Sequence, residues 1–188
     1  MIQRPGTITI EDFDRMIEEG YFDRVKQRVD LIRGEIICMN AAGPMHDEVV
    51  TRLTEWSSLW ARRSGCRVRT EKGIKLPPVV SEPEPAIVWV VDKDYMADKP
   101  YAQDIALLIE VSDSSLNEDR IELVPLYAEA GISEYWIVNC ADQCIEVHRH
   151  PVDGEYTEQF IVDFGDEVSP LVAPEAVVDV AGLFARRT

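Results

Sequence analysis

Residues 105–139, IALLIEVSDSSLNEDRIELVPLYAEAGISEYWIVN, limit what this chain can fold into more than any other stretch. The apolar run 105–109 ends on one carboxylate, Glu110. A polar turn follows, then a short helical pattern ending at Gly131, then a second buried run, Glu134 to Val138. A short continuous apolar run reads as a strand covered on both faces, and strand–helix–strand is a parallel crossover unit. An unpaired carboxylate at the end of a buried strand is expensive. Glu110 is therefore either one half of a structural ion pair, with Lys75 a candidate cation, or part of a site.

The flanking segments extend the pattern. Thr9, followed three residues later by Asp12, predicts a helix start, and Gly20 a stop. Runs 25–32 and 35–39 flank Arg33-Gly34 and predict a hairpin. Between Pro44 and Arg63 the residues Val49, Val50, Leu53, Trp56, Leu59 and Trp60 recur at three- and four-residue steps, the mark of an amphipathic helix with His46 in its first turn. Two short strands, 66–70 and 74–76, are expected around Lys72-Gly73. A proline-rich connector, 77–85, suits an extended approach to another buried strand, 86–91. Residues 92–104 read as a loop or short helical excursion. After the crossover, 144–149 and 156–163 form a hairpin around Asp153-Gly154, and the tail carries 177–180 and a short terminal helix. There are no repeats or linkers. The expectation is one domain spanning 1–188, a mixed α/β sheet with the long helix on one face and the crossover helix on the other.

Composition excludes several classes. No apolar run approaches a membrane span, and MIQRPGTITIEDF lacks the apolar core of a signal peptide. A cytoplasmic protein is expected. Acidic residues outnumber basic ones 35 to 19, for a net charge of −16. That field repels a polyanion and disfavours nucleic-acid binding through a broad basic surface, though not a metal-dependent nuclease whose acidic site recruits cations. Cys38, Cys66, Cys140 and Cys144 are too few and too scattered for a disulfide framework. The series Cys144, Glu146, His148, His150 shares one face of a strand but fits no standard zinc spacing. A half-exposed strand with a polar outer face is the expectation there.

At Glu110 the chain resembles a known family. The hairpin with Arg33-Gly34-Glu35, His46 opening the long helix, and Ser81-Glu82-Pro83-Glu84-Pro85 before a buried strand are similar to the Uma-two restriction endonucleases of the PD-(D/E)XK nuclease superfamily. So are Ile109-Glu110-Val111-Ser112-Asp113-Ser114-Ser115, Asp119 followed by Tyr127, and the run from Ala130 to Val138. The resemblance covers nearly the whole chain. It implies a restriction-endonuclease-like αβββαβ core, with an N-terminal helix and hairpin and extra C-terminal strands, and a magnesium-dependent DNA endonuclease. In such enzymes an aspartate and a glutamate bind magnesium while a lysine activates or positions the attacking water.

The resemblance also marks departures. Where the family places its aspartate this chain has Ala86, and where it places its lysine, four residues before Tyr127, it has Leu123. Of the three key groups Glu110 stands, with the Val111 carbonyl as a second ligand, while Ser112 holds the ancestral lysine position. Compensation would come from Glu84, two residues before Ala86 but roughly 6–7 Å further back. Arg120, three residues before Leu123 on the same helix face, Lys72, Lys75 and His46 are the other supporting candidates. Three functions follow: a magnesium-dependent endonuclease with a rearranged site, a catalytically degenerate nuclease fold kept as a binding or interaction module, or a plain structural or dimerisation module. A homodimer is expected from exposed aromatic residues and strand edges.

Overall fold

The computed structural model describes residues 7–39, 42–113 and 116–186. Ser114 and Ser115 of the motif, and the first six residues of the N-terminal run, lie outside them. Thr9 caps α1 (Ile10–Glu18), its Oγ1 accepting from the Asp12 amide at 3.0 Å. The hairpin follows as β1 (Val29–Ile32) and β2 (Glu35–Cys38), pairing Ile32 with Glu35 across the Arg33-Gly34 turn. Next come α2 (Pro44–Trp60), tightening into a 3-10 turn at Ala61–Ser64, then β3 (Cys66–Thr70) and β4 (Ile87–Val91).

The crossover begins with β5 (Ile105–Ser112) and passes through α3 (Leu116–Glu118), a π-helical turn at Asp119–Leu123, and α4 (Val124–Ala130) into β6 (Glu134–Asn139). The hairpin β7 (Cys144–Val152) and β8 (Glu155–Val162) completes the sheet. Two short strands, β9 (Glu167–Val168) and β10 (Val178–Asp179), pair with each other, and α5 (Val180–Phe184) ends the fold. The main sheet runs β3-β4-β5-β6-β7-β8, antiparallel except for the parallel β5–β6 pair. Right-handed crossover connections are the rule for such a pair.

Two cores form on the two faces, as expected. On one, Val49, Val50 and Leu53 of α2 pack on Trp89, Leu107, Ile109 and Trp136, and Trp56 lies 5.1 Å from Trp89 between ring centroids. On the other, Leu126, Tyr127 and Ala128 of α4 cover Leu108, Tyr135 and Ile137. Strand alternation thus sends Leu107, Ile109 and Val111 toward α2, and Leu108 and Glu110 toward the crossover helix.

Four expectations need correction. Leu59 is two-thirds exposed (67 %), because α2 turns that position away from the sheet. Residues 74–76 make isolated bridges, Lys75 to Tyr101 and Leu76 to Ser81, since β3 pairs with β4. The connector opens with a 3-10 turn at Pro77–Val79 before it extends; Pro cannot continue a helix but is suited to start a turn. The outer face of β7 is not half-exposed: Cys144, Glu146 and His148 are buried, with His148 stacked on Tyr135. The crossover unit covers it, with Tyr156 of the neighbouring β8 beside His148 at 5.7 Å between ring centroids. All four cysteines are free thiols.

Candidate functional site

Glu110 faces the crossover helix with 8 % of its surface exposed. Ile87 pairs with Ile109, so the next residues inward, Ala86 and Glu110, face each other across the β4–β5 ladder. The Ala86 amide donates to Glu110 Oε2 at 3.0 Å. From α4 the Tyr127 hydroxyl donates to Oε1, also at 3.0 Å. Tyr127 is fully buried and sits edge-on to Tyr135 at 4.9 Å. Each carboxylate oxygen therefore already carries a neutral donor.

The hairpin supplies the rest. β1 lies against the connector through a reciprocal backbone bridge: Leu31 N–H to Glu82 O at 3.3 Å and Glu82 N–H to Leu31 O at 2.7 Å. That docking buries Asp30, whose Oδ2 accepts from the Glu84 amide at 3.4 Å. Arg28 reaches Asp30 with Nε 3.3 Å from Oδ1 and Nη2 3.4 Å from Oδ2. The first is an ion pair by distance without hydrogen-bond alignment, and Nε has no aligned acceptor. The guanidinium also feels the charges of Glu110 and Glu84.

Burial dominates the electrostatics. Desolvation pushes the Glu110 carboxyl up to about 8; Arg28, the Ala86 amide and Tyr127 pull it back, and Asp119 adds to the rise. Asp30 is pushed up to about 6 by the same cause, opposed first by Arg28. Tyr127 is held well above an ordinary phenol by burial and by Glu110. The pocket favours protonated carboxyls, a poor state for metal ligation, since a ligating carboxylate must shed its proton.

The other expected residues are placed elsewhere. Lys75 does not pair with Glu110: its Nζ sits 2.7 Å from both Asp14 and Asp98. Arg120 turns to Glu146, at 2.8 and 2.6 Å, and not into the pocket. The cause is local. Pro125 has no N–H for the helix ladder and its ring crowds the carbonyl four residues back, at Ile121. The π turn Asp119–Leu123 ends two residues before it, burying Asp119 and exposing Arg120. Leu123 packs on the Tyr127 side of the core. Glu84 is half-buried at the rim, Lys72 is exposed, and His46 is half-buried with Nδ1 3.4 Å from Asp47. Val111 turns its side chain into the α2 core and pairs in register with Val138, while Ser112 pairs with Asn139. A groove of about 560 Å³ between α2 and β3 is lined by Asp47, Val50, Thr51, Thr54, Glu55, Thr70 and Glu71, and Glu110 is not part of it.

Arg28 and Asp30 are the site residues that sequence reasoning missed. The available signal was opposite charges at i and i+2 leading into a strand, on one face of an extended chain.

A magnesium ion at Glu110 would need several hard oxygen ligands around an open position. Both Glu110 oxygens face N–H and O–H donors, Ala86 offers no side-chain ligand, and an arginine stands in the pocket. No group of three or more His, Cys, Asp or Glu side chains among the described residues is arranged to hold a metal ion. The residues present do not fit the ion.

A six-stranded mixed sheet between helices, with a carboxylate at the end of its central parallel pair, defines a nuclease-like fold. A solved structure described as a putative nuclease belonging to DUF820 from Anabaena variabilis ATCC 29413 is similar with a TM-score of 0.74, covering 94 % of this chain and 97 % of that one. Identity is 15 %, so the likeness is one of fold. The Uma2 family model, "Putative restriction endonuclease", matches residues 10–181, and the chain belongs to that family. No curated protein matches it. No helix among the described residues is long and apolar enough to cross a membrane.

Proposed function

We propose that this chain is a catalytically degenerate nuclease-fold protein acting as a binding or interaction module. The observation that carries the reading is the double capping of Glu110 by the Ala86 amide and the Tyr127 hydroxyl. A metal-dependent nuclease needs that carboxylate charged and open, and a lysine or other group to prepare water. Here Leu123 is half-buried against the core and Arg120 is committed to Glu146. Arginine stays protonated and cannot act as a base.

The family makes DNA the first partner to test. With a net charge of −16, contact would be local, and the α2–β3 edge offers the exposed Arg62 and Arg63, with Arg67 already paired to Asp92 at 2.8 Å. A second copy of the chain is the other candidate. β8 is an edge strand with Ile161 58 % exposed and Phe160 beside it, the kind of edge that invites strand pairing. Light scattering of the purified protein reads the dimer directly.

The decisive experiment is cleavage of supercoiled plasmid with magnesium or manganese, run beside Glu110→Ala. The expected result is no nicking above buffer for either protein. Nicking by the wild type that disappears in the variant would restore the endonuclease reading.

A further inference from the structure

Arg28 pairs with Asp30, Asp30 accepts from the Glu84 amide, and two residues on the Ala86 amide bonds Glu110, so the guanidinium and Glu110 are held on one short stretch of the connector, where the charges of Glu84 and Asp119 also act. A buried set of carboxylates needs a compensating cation. Fold relatives that act as nucleases meet this need with a divalent metal; this chain has placed a side chain there. We infer that Arg28 is the resident cation of the Glu110 pocket, standing in for the divalent ion as a positioning residue and making the pocket independent of metal. This deepens the functional reading above and rests on it.

Three observations converge on Arg28. Its Nη2 bonds Asp30 Oδ2 at 3.4 Å while Nε stands 3.3 Å from Oδ1 without alignment, an ion pair that fixes the guanidinium beside this carboxyl and leaves Nε facing the pocket charge. Its position is set by the fold: the Met39 amide bonds the Arg28 carbonyl at 2.8 Å, Gly34 N–H reaches Val80 O at 2.8 Å, and the Arg33 amide reaches Ser81 Oγ at 2.8 Å. Arg33 then forks onto Glu129 of α4 at 2.9 and 2.8 Å, tying the hairpin to the helix that carries Tyr127. Third, the nearby cations are committed elsewhere. Lys75 holds Asp14 and Asp98, Lys99 holds Asp14 and Glu82, and Arg120 holds Glu146. Arg28 is the cation that lowers the cost of charge on Glu110.

The consequence is electrostatic exclusion. A fixed guanidinium paired with Asp30 beside the Glu110 pocket repels a divalent ion and offsets part of the charge that would attract it. Removing it should expose a latent demand for a cation.

The test compares wild type, Arg28→Ala, Arg28→Lys and Glu110→Gln by thermal unfolding in EDTA and in millimolar manganese, with manganese binding followed by EPR. Wild type is expected to melt at the same temperature in both solutions and to leave the manganese signal unchanged. Arg28→Ala should melt several degrees lower in EDTA and recover part of the loss with manganese. Arg28→Lys keeps the charge and should remain indifferent to the metal. Manganese binding by the wild type that Glu110→Gln abolishes would overturn the inference. So would an Arg28→Ala protein as stable as wild type in EDTA, or an Arg28→Lys protein as metal-dependent as the alanine variant. Should Arg28→Ala fail to fold, the wild-type EPR titration and Arg28→Lys still decide. These readouts are separate from cleavage: plasmid nicking dependent on Glu110 defeats the functional reading, whereas manganese bound without nicking defeats only the role of Arg28.

Discussion

Two buried glutamates on adjacent strands, Glu110 on β5 and Glu134 on β6, meet the same difficulty in opposite ways. Glu134 is fully buried and fully bonded. Arg149 Nε donates to its Oε1 at 2.8 Å, Trp136 Nε1 to the same oxygen at 2.9 Å, and the Leu171 amide to Oε2 at 2.6 Å. Arg149 continues to the Ser169 carbonyl at 2.6 Å, so the group staples the C-terminal segment to the sheet. Burial pushes both carboxyls up. Glu134 has a cation in direct contact; Glu110 has two neutral donors, and its cation is bonded to a different carboxylate. Glu134 is held as a structural ion pair, whereas Glu110 is left with incomplete charge compensation.

The largest effect should come from breaking the structural member. Glu134→Ala leaves Arg149, its side chain only 12 % exposed, without its partner, and should cost about 3–5 kcal/mol in urea unfolding. A loss as small as that of a surface substitution would place Glu134 in the same class as Glu110.

The next effect depends on pH. Glu110 has its folded-state pKa raised from an ordinary 4.5 to about 8. Below 4.5 the carboxyl is protonated folded or unfolded and contributes nothing. As pH rises toward 8 the unfolded chain releases its proton while the folded one keeps it, so stability falls. Asp30 acts in the same sense up to about 6. Glu110→Gln should therefore match wild type near pH 4 and exceed it by a few kcal/mol at pH 8. Urea midpoints across that range check it, and a constant difference would remove Glu110 from the titration.

A smaller effect should follow from moving Glu110 toward ligation. Ala86→Asp with Leu123→Lys adds a carboxylate across the ladder and a cation on the helix. Manganese should then bind weakly and stabilise the double variant by roughly 1 kcal/mol at millimolar concentration. No response would mean that the pocket, and not only two side chains, has changed. The smallest effect is expected for Arg33→Ala, which cuts the exposed fork to Glu129; roughly 0.2–1 kcal/mol is the range for such pairs. A larger loss would make that clamp part of how the hairpin holds Arg28.

Much of the fold was legible in the chain because it is written in local patterns. Alternation and apolar runs located β4, β5 and β6, the three- and four-residue steps located α2, and Thr9 with Asp12 marked α1. The site was only half legible. Glu110 was visible as a charge in a buried run. Arg28 and Asp30 come from a hairpin dozens of residues away, and their partnership exists only once β1 docks on the connector. Helix-face reasoning also failed between Arg120 and Leu123, because the three- and four-residue rule assumes 3.6 residues per turn and the π turn widens it there. Glu134 hid within a run read as apolar, its partners Arg149 and Leu171 lying beyond the crossover.

The strand order of the main sheet has a temporal meaning. Strands β3 to β8 lie side by side in the order in which they are synthesised, so every pairing joins neighbours in the chain; β6–β7 and β7–β8 close short turns, and the parallel β5–β6 pair waits on an intervening helix. The hairpin that follows Arg28 is made before any strand of the main sheet, yet its docking surface, the connector, is not translated until dozens of residues later. On an emerging chain the Glu110 pocket can therefore be completed only when an early segment folds back over strands made after it.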